Sequence, residues 1–346
     1  MKIFVWSTLK VGNGSYHYRV NAPMTEAAWQ GLASVGVGGD PTVPDGADAD
    51  VLVVHGMIQH ALAEALDALP AGRRLVVVEN DDNHLDVRPD NPIFGQEGMV
   101  DYETYVASVI PDIRRSLDLA DLVTVSVPPL AEAYARHTDT PIVVLPNTVD
   151  EVLLEVPQPL RAPGEQLRVG WAGSSSHTLD WKICASGVRY GLAKTQAHLV
   201  LMGADYRGLI GYRDAEFLPW ADSMDAYYLP MTTWHVALAP LVDDEFNRAK
   251  SPIKALEAAA FGIPVVAGDA GPYRDFVVHG ETGFLCRDDA DWMKAIRALG
   301  NDEEMRREMG RNAREHARQF TTQAWAPRWV EAYRAAYDAK FAAATV

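Results

Sequence analysis

The sequence has little cysteine and lacks any long apolar run. Of its 346 residues only two are cysteines, Cys184 and Cys286, which lie far apart and without the spacing of metal ligands. So few cysteines argue against a cysteine-based metal site and favour a reducing, cytoplasmic setting. No stretch approaches the roughly 18–20 apolar residues of a membrane-spanning helix, and the opening MKIFVWSTLK lacks the apolar segment of a secretory signal. We therefore expect a cytoplasmic protein without a stable membrane span.

Positive charge is also scarce, most of all in the first part of the chain. The formal net charge is -16, and residues 1–150 carry 9 Lys and Arg against 21 Asp and Glu. An acidic region of this kind repels polyphosphates and anionic membrane surfaces unless a local basic patch intervenes. The charge therefore weighs against nucleic acid as the main partner. The same surplus of acidic residues would also be explained if it served solubility alone.

Short apolar segments alternate with longer amphipathic segments along the chain. This alternation is typical of parallel sheets with helices on both faces. The predicted strands are Lys2–Trp6, Val51–His55, Leu75–Glu79, Leu122–Ser126, Ile142–Leu145, Leu167–Ala172, His198–Met202, Val236–Ala239 and Ile263–Ala267. The predicted helices are Gln59–Leu69, Glu103–Leu119, Thr178–Tyr190, Pro252–Phe261, Asp289–Leu299 and nearly all of Asp302–Phe341. The pattern therefore predicts an α/β protein.

A polar, proline-containing segment from Pro157 to Gln166 separates two such alternating sets and predicts an interdomain linker. We expect a Rossmann-like domain over 1–156, a second one over 165–322 and a crossover helix over 323–346. The final helix carries aromatic residues that need burial, and packing back across the domain junction buries them; they are Trp325, Trp329, Tyr333 and Tyr337. Two such domains leave a cleft at the carboxyl ends of their strands, where ligands of these folds bind.

The segment GWAGSSSH, residues 170–177, follows a predicted strand and precedes a predicted helix. Small residues there let a ligand approach the backbone, and a helix N-terminus presents free N–H groups to an anion. Gly173, Ser174 and Ser175 are therefore candidate contacts of a diphosphate. His177 is a candidate contact near a sugar or phosphate. The same residues also fit an ordinary serine-capped helix.

The segment FNRAKSPIKALE, residues 246–257, places several cations at the start of a predicted helix. Pro252 suits the first turn of that helix, with Ser251 as its N-cap. The cations suit a diphosphate, and Glu257 can accept two hydrogen bonds from a ribose diol. The candidate donor-binding residues of the segment are Asn247, Lys250, Ser251, Lys254 and Glu257, with Arg248 beside them. A solvated helix face would explain these charges but not their position at the helix start.

The N-terminal region offers weaker candidates. Gly12 and Gly14 lie in the loop after the first predicted strand and fit either a ligand-binding loop or a plain surface loop. The remaining candidates are a catalytic role for His55 and an acceptor-side role for Arg19, Asp81, Asp82 and His84. Strand-end polar residues of this kind also occur as satisfied structural groups or as N-capped turns.

The stretch from Leu167 to about Arg318 resembles glycosyltransferase family 4, whose members are retaining sugar transferases of the GT-B fold. The resemblance is carried by GWAGSSSH, by HVALAPLVDDEFNRAKSPIKALEAAAFGIPVVAGDAGPYRDFVVHGETGFL and by MGRNAREHA. In the N-terminal region SYHYRVNAP, DLVTVS and LPNTVD resemble parts of small bacterial and bacteriophage members. The resemblance implies two Rossmann-like domains that face each other across a cleft, with a C-terminal helix that packs back across their junction.

The resemblance also implies roles for particular residues. Glu257 corresponds to the second glutamate of the family's Glu-x7-Glu motif, which binds ribose. Ala249 stands where the first glutamate approaches the donor sugar, and Ser174 stands where many members have an arginine. We expect Lys250, with Arg248 or Lys254, to replace the missing positive charge in catalysis.

The expected function is transfer of a sugar from a nucleotide diphosphate sugar to an acceptor hydroxyl, with retention. The nucleotide sugar is a co-substrate, and the resemblance implies no metal and no other cofactor. The acceptor is left open among a polysaccharide, a lipid-linked sugar, a protein and a modified DNA base. Two alternatives are a sugar-nucleotide epimerase of the same fold and a non-catalytic nucleotide-sugar-binding or scaffold protein. An NAD-dependent dehydrogenase fits poorly, because His17 stands where a G-x-G-x-x-G turn needs its third glycine.

Overall fold

The computed structural model describes residues 1–9, 12–39, 46–56, 62–69, 72–95 and 100–342. Within these residues the backbone forms two sheets of six parallel strands each. The strands are β1 (Lys2–Ser7), β2 (Ser34–Gly38), β3 (Val51–His55), β4 (Leu75–Asn80), β5 (Leu122–Val125), β6 (Ile142–Val144), β7 (Arg168–Gly173), β8 (His198–Gly203), β9 (Glu216–Leu218), β10 (Val236–Ala239), β11 (Val265–Gly268) and β12 (Gly283–Cys286). Each predicted strand is present, with bounds shifted by at most two residues, and the α/β class is confirmed.

The first sheet has the strand order β2-β1-β3-β4-β5-β6. Strands β3 and β4 are Val- and Leu-rich and buried on both faces, as strands between two helical layers must be. The sequence analysis did not predict β2, whose SVGVG offers few large apolar residues. Glycine suits that edge strand, because a Cβ on Gly36 would lie 2.7 Å from the ring of Phe4 and would force the ring to move.

The second sheet has the strand order β12-β11-β10-β7-β8-β9. Its centre is closely packed, because a Cβ on Gly170 of β7 would fall 1.9 Å from the indole of Trp234. The two edge strands, β9 and β12, were also missing from the prediction. Each is only three or four residues long, too short for a clear alternation of apolar and polar residues.

Helices cover both faces of the two sheets. They are α1 (Gly14–Tyr16), α2 (Ala22–Trp29), α3 (Leu62–Ala68), α4 (Tyr102–Thr104), α5 (Ile110–Leu119), α6 (Pro128–Ala135), α7 (Thr178–Lys182), α8 (Ala185–Thr195), α9 (Arg207–Ile210), α10 (Met224–Tyr228), α11 (Glu245–Arg248), α12 (Ile253–Ala260), α13 (Gly271–Phe276), α14 (Asp289–Asn301), α15 (Glu303–Ala317) and α16 (Thr322–Ala342). Two π-helical turns, His17–Asn21 and Tyr105–Val109, join α1 to α2 and α4 to α5. The first three residues predicted for α3, 59–61, lie outside the described residues.

The single helix predicted over Thr178–Tyr190 is wrong, because the chain forms two helices there, α7 and α8. A residue of another helix explains the break. Asp289, at the start of α14, accepts a hydrogen bond from the backbone N–H of Gly187 at 2.7 Å, in the first turn of α8. Gly187 also has no room for a side chain, since a Cβ there would lie 2.3 Å from the carbonyl oxygen of Asp289. The start of α8 is therefore set by its packing against α14.

The long helix α16 leaves the C-terminal domain and packs on the N-terminal one, as predicted. Trp329 and Tyr333 are fully buried in one cluster with residues of β1 and β3 such as Ile3 and Val51. Burial of two large aromatic side chains stabilises this arrangement by several kcal/mol, at about 25 cal/mol per Å² of apolar surface. The helix thereby ties the two domains together, while residues 343–346 lie outside the described part. No helix among the described residues is long and apolar enough to cross a membrane.

Candidate functional site

A cavity of about 200 Å³, the first cavity, lies between the two domains. Residues of the N-terminal domain that line it are Gly12, Gly14, Ser15, Tyr18, Asp81, Asp82 and Asn147. Residues of the C-terminal domain that line it are His177, Trp220, Ala221, Ser223, Met224, Tyr227, Leu241, Lys250, Ser251, Ile253, Lys254, Glu257 and Tyr273. Asp81 and Asp82 directly follow β4, so the cavity lies at the carboxyl end of that strand. A cleft between two domains is a common place for a small-molecule ligand.

The two lysines predicted to bind a diphosphate both line this cavity. Lys250 lies just before α12, and its Nζ is 3.2 Å from Oδ1 of Asp82 and 4.5 Å from the centre of the Phe246 ring. Lys254 lies in the first turn of α12, and no carboxylate in the described part of the chain forms an ion pair with it. Burial lowers the pKa of Lys254, although nearby Glu257 opposes the shift. An unpaired ammonium in a partly closed cavity favours an anionic ligand.

The predicted cap of α12 is wrong. Pro252 is itself the N-cap residue, and no side chain caps the helix. The hydroxyl of Ser251 instead accepts a hydrogen bond from Nδ2 of Asn147 at 2.9 Å. Ser251 therefore connects the start of α12 to the N-terminal domain and still lines the first cavity.

Glu257 is buried on α12, with 3% of its surface exposed. Its Oε1 accepts a hydrogen bond from the hydroxyl of Tyr18, and its Oε2 accepts one from the hydroxyl of Tyr227 at 3.0 Å. The Tyr18 and Tyr228 hydroxyls are 2.8 Å apart. Burial raises the pKa of Glu257, while Tyr18 and then Lys254 oppose the rise. Because a carboxylate has about four acceptor positions, two remain for ligand hydroxyls.

His177 also lines the first cavity, where it contributes an acceptor and not a charge. Its Nδ1 lies 2.7 Å from Oδ2 of Asp180, whose other oxygen accepts from the backbone N–H of Val242 at 2.8 Å. Burial lowers the pKa of His177 to about 4, helped by the nearby Lys254, so the ring is neutral at pH 7. Because the N–H at Nδ1 donates a hydrogen bond to Asp180, Nε2 of the neutral ring carries no proton and can accept a hydrogen bond.

The serine loop predicted to cradle a diphosphate does not line the first cavity. Gly173 is buried at the end of β7, where a Cβ would lie 2.6 Å from the ring of Trp171. Ser174 is exposed, and its carbonyl oxygen accepts from the hydroxyl of Tyr206 at 3.2 Å. Ser175 begins a short 3-10 turn instead of a regular helix. The structure therefore supplies no extended helix N-terminus at this loop.

The N-terminal wall of the cavity is formed by the glycine loop and the turn after β4. Gly12 has a φ of 94°, a conformation that favours glycine, and a Cβ on it would lie 3.2 Å from the carbonyl oxygen of Asp222. Gly12 also accepts a hydrogen bond from the indole N–H of Trp220 at 3.5 Å. Both contacts join the N-terminal loop to the C-terminal domain. The first cavity is therefore closed on this side by residues of both domains.

His55, predicted to act in catalysis, does not line the first cavity. It is 1% exposed, with Nδ1 at 2.9 Å from Oγ of Ser7 and Nε2 at 3.1 Å from Oγ of Ser15. Burial lowers the pKa of His55 to about 4 and keeps the ring neutral. Both ring nitrogens are occupied by serine hydroxyls, so His55 acts on the cavity only by holding Ser15, which does line it.

Arg19, predicted on the acceptor side, is a buried structural cation. Its Nε lies 2.7 Å from Oε1 of Glu79, its Nη1 donates to Oδ1 of Asn147 at 3.0 Å, and its guanidinium stacks 4.7 Å from the ring centre of Trp329. The residue lies on a helical turn directed into the core, which strand-end reasoning could not detect. His84 also does not line the first cavity, and its carbonyl oxygen accepts a hydrogen bond from Tyr105 at 2.9 Å.

Arg248 and Asn247 also lie outside the first cavity. Arg248 lines a separate, mostly apolar cavity, and its Nε donates to Oδ1 of Asp243 at 2.7 Å. Asn247 is buried and lines a neighbouring cavity of about 340 Å³, the second cavity. Its Nδ2 donates to Oδ1 of Asp180 at 3.3 Å and to the carbonyl oxygen of Val242 at 3.1 Å. Of the predicted cations, only Lys250 and Lys254 reach the first cavity.

The sequence analysis missed the aromatic side of the first cavity. The missed aromatic residues that line it are Tyr18, Trp220, Tyr227 and Tyr273. A signal existed in the clustered aromatics of SYHYR and DAYY, because buried tyrosines need hydroxyl partners and are frequent in ligand sites. Glu257, the partner of Tyr18 and Tyr227, lies far away in the chain from Tyr18, so the Tyr18–Glu257 pairing is visible only in the folded structure.

One segment of the chain matches a family model, and the fold of the chain matches that of solved structures. Residues 235–316, which include α11 and α12, match the family model described as glycosyl transferases group 1. This part of the chain is therefore similar to a glycosyltransferase group 1 domain. The match agrees with the activity expected from the sequence, that of a glycosyltransferase enzyme. A search of curated proteins gave no match to the chain.

The fold is that of the GT-B glycosyltransferases. Sucrose-phosphate synthase from Thermosynechococcus elongatus superposes with a TM-score of 0.67 at 17% identity, over 98% of this chain and 99% of that one. Anabaena HepE in complex with UDP-glucose gives a TM-score of 0.67 at 17% identity, over 97% and 99% of the two chains. A UDP complex of S. aureus TarM gives 0.58 at 14% identity over 82% of this chain, which spans only 55% of the TarM chain. At such identities the likeness shows the fold alone.

Proposed function

We propose that this chain transfers a sugar from a nucleotide diphosphate sugar to an acceptor hydroxyl with retention, as a small family 4 enzyme of the bacterial or bacteriophage type. One observation carries the proposal. Lys250, Lys254 and Glu257, on or next to α12, line one wall of a cavity between the two domains. Two cations and a carboxylate on one wall match the diphosphate and the ribose diol of a nucleotide, which lie next to each other in that ligand.

In this proposal the lysines stabilise the leaving group. The bond between the sugar carbon and the diphosphate oxygen breaks, and its electron pair remains on the diphosphate, where Lys250 and Lys254 meet the growing negative charge. Preorganised charges of this kind are usually the largest catalytic contribution. The two lysines provide this positive charge without a metal, so we infer metal-independent transfer.

Glu257 has charged acceptor oxygens, and His177 has a neutral acceptor nitrogen, for the hydroxyl groups of the donor. The free acceptor positions of Glu257 suit the ribose diol, and the unprotonated Nε2 of His177 suits a hydroxyl of the sugar. Ala249, at the position of the first motif glutamate, is buried and packs with core residues of the N-terminal domain. The donor sugar therefore meets no carboxylate from that position.

Uridine diphosphate is the first nucleotide to test, because structures of this fold from Anabaena and S. aureus contain UDP or UDP-glucose. The experiment follows the melting temperature of the full chain with UDP, GDP, ADP and dTDP, and then with their sugars. A ligand at about 100 times its dissociation constant adds about 2.7 kcal/mol, which raises the melting temperature by several degrees. The proposal requires a selective shift with one nucleotide.

Turnover separates the proposal from its alternatives. Nucleotide binding with no release of nucleotide from the sugar donor, under any acceptor condition, favours a scaffold protein. Release of free, epimerised sugar without acceptor favours an epimerase. No melting shift with any nucleotide would refute the assignment of the first cavity to a nucleotide.

A further inference from the structure

The second cavity opens directly beside the first. It occupies about 340 Å³. On the N-terminal domain it is lined by Asp82 and by four residues further along the chain, Arg88, Asp90, Asn91 and Ile93. On the C-terminal domain it is lined by residues of 176–183, by Val242, Asp244, Phe246 and Asn247, and by Lys250. The two cavities share only three of their described lining residues, Asp82, His177 and Lys250. A group that moves from one cavity to the other must therefore pass this set of side chains.

The three shared residues are suited to a transfer between two ligands. Lys250 forms an ion pair with Asp82 across the domain interface at 3.2 Å, and His177 is held in place by Asp180. The cation of this pair, Lys250, also lines the first cavity, where we propose that it binds the diphosphate together with Lys254. The pair also places a carboxylate oxygen where a hydroxyl in the second cavity can donate a hydrogen bond. A carboxylate that accepts such a bond orients the hydroxyl oxygen towards its target.

The lining of the second cavity indicates the chemical class of its ligand. Among its described residues four carboxylates face three cations; the carboxylates are Asp82, Asp90, Asp180 and Asp244, and the cations are Arg88, Lys182 and Lys250. Arg88 is already paired with Asp90 at 2.7 Å. The remaining surface is partly apolar, from Ile93, Leu179, Ile183, Val242 and Phe246. A lining without a surplus of positive charge offers little attraction to a phosphate polymer, whereas carboxylates interleaved with apolar groups suit a neutral molecule with many hydroxyls.

We propose that the second cavity is the acceptor site, that it binds a neutral saccharide, and that Asp82 orients the hydroxyl that is glycosylated. This inference rests on the proposed function and names its acceptor class. In the step, the hydroxyl oxygen forms the new bond to the sugar carbon as the bond from that carbon to the diphosphate breaks. The electron pair of the broken bond stays on the diphosphate, and the hydroxyl proton is transferred to a diphosphate oxygen. The products are a glycoside and the protonated nucleoside diphosphate.

The experiment measures nucleotide release from the nucleotide sugar that gives the largest melting shift. The full chain is assayed in water alone and with a panel of maltose, cellobiose, lactose and maltotriose, and separately with a DNA duplex. We expect at least one saccharide to increase nucleotide release at least tenfold over hydrolysis, and the duplex to have no effect. Stimulation by the duplex alone, or by no saccharide in the panel, would overturn the inference.

A pair of matched variants tests the location. Ile183 lines the second cavity and is 48% exposed, and Val278 is 43% exposed and lines neither cavity. Ile183→Trp fills the mouth of the second cavity, so the saccharide-dependent rate is expected to fall at least tenfold, while hydrolysis and the nucleotide melting shift stay within twofold. Val278→Trp is expected to leave all three unchanged. Equal saccharide-dependent rates in the two variants would exclude the second cavity as the acceptor site.

A third variant tests the role of Asp82. Asp82→Asn keeps the size of the side chain and removes its charge, and loss of a charge-assisted hydrogen bond lowers the saccharide-dependent kcat by roughly 10- to 150-fold. Asp82→Glu is expected to restore part of that rate. An unchanged kcat in Asp82→Asn would refute its orienting role. Failure of every nucleotide to bind wild-type protein would instead refute the proposed function itself, which separates the two hypotheses.

Discussion

The contact between Glu257 and a ribose diol is best tested with Glu257→Gln. In the folded protein each carboxylate oxygen already accepts one tyrosine hydroxyl, from Tyr18 and from Tyr227. A ribose diol therefore uses the second acceptor position of each oxygen. The glutamine amide keeps one acceptor oxygen and replaces the other with an NH2 donor, so one ribose hydroxyl loses its acceptor.

The size of the effect follows from the strength of one such bond. A hydrogen bond to a charged group contributes about 1.5–3 kcal/mol, which corresponds to roughly a 10- to 150-fold change in a dissociation constant. Because Glu257 is buried, water cannot replace the lost acceptor. We therefore expect the Kd of the nucleoside diphosphate to rise by one to two orders of magnitude in Glu257→Gln, measured by isothermal titration calorimetry at 25 °C.

Tyr227→Phe is the matched control. It removes one hydroxyl from Oε2 of the same carboxylate but leaves its charge and both oxygens in place. The nucleotide Kd of this variant should remain within threefold of the wild-type value. A Kd for Glu257→Gln within threefold of wild type, in protein that still unfolds cooperatively, would refute the ribose assignment.

Three further predictions concern charged and titratable groups. Lys250→Ala should lower kcat roughly 10- to 150-fold through loss of a charged contact, whereas Arg248→Ala, outside the first cavity, should change kcat less than twofold. In urea unfolding, Arg19→Met should cost about 3–5 kcal/mol because it leaves Glu79 buried without its cation, whereas Arg136→Met, at an exposed pair, should cost under about 1 kcal/mol. Burial lowers the pKa of His55 to about 4 in the folded protein. As the pH falls below about 6.5, the unfolded chain therefore protonates this histidine before the folded chain does. Wild-type stability should therefore decrease with falling pH more steeply than that of His55→Asn, by about 1.4 kcal/mol per pH unit.

Each of these predictions has a clear contrary result. Equal turnover of the two cation variants at positions 248 and 250 would remove Lys250 from the mechanism. Similar unfolding free energies for the two arginine variants would show that the buried Arg19–Glu79 pair contributes no more to stability than the exposed pair. Parallel stability–pH curves for wild type and His55→Asn, between pH 6.5 and 4.5, would show that the histidine is not buried in a neutral form.

Much of the fold was predictable because it depends on local patterns. Period-two and continuous apolar runs identified the central strands. The edge strand β2 was missed because it has few large apolar residues, and β9 and β12 were missed because they are only three or four residues long. The aromatic spacing in α16 predicted its burial across the junction. The split between α7 and α8 was unpredictable, since its cause is a carboxylate on α14, more than a hundred residues away.

The candidate site was predictable only in part. Motif spacing identified Lys250, Lys254 and Glu257 because all three depend on one helix and the residues just before it. The same reasoning placed His55 and Arg19 in the cleft, because a position at the end of a strand or in a loop indicates which edge of the sheet a residue is near. It does not say where the side chain points. Both side chains instead satisfy buried partners in the N-terminal domain.

The sequence by itself determined the α/β class, the two sets of strands, the crossover helix and the cation-bearing start of α12, because these follow from periodicity and spacing along the chain. Only the tertiary structure decided which side chains meet in the cavity. Lys250 reaches Asp82 across the cleft while Arg248, two residues earlier, pairs with Asp243. Tyr18 reaches Glu257 over a separation of 239 residues. The orientation of one domain relative to the other sets these contacts, and no local pattern encodes that orientation.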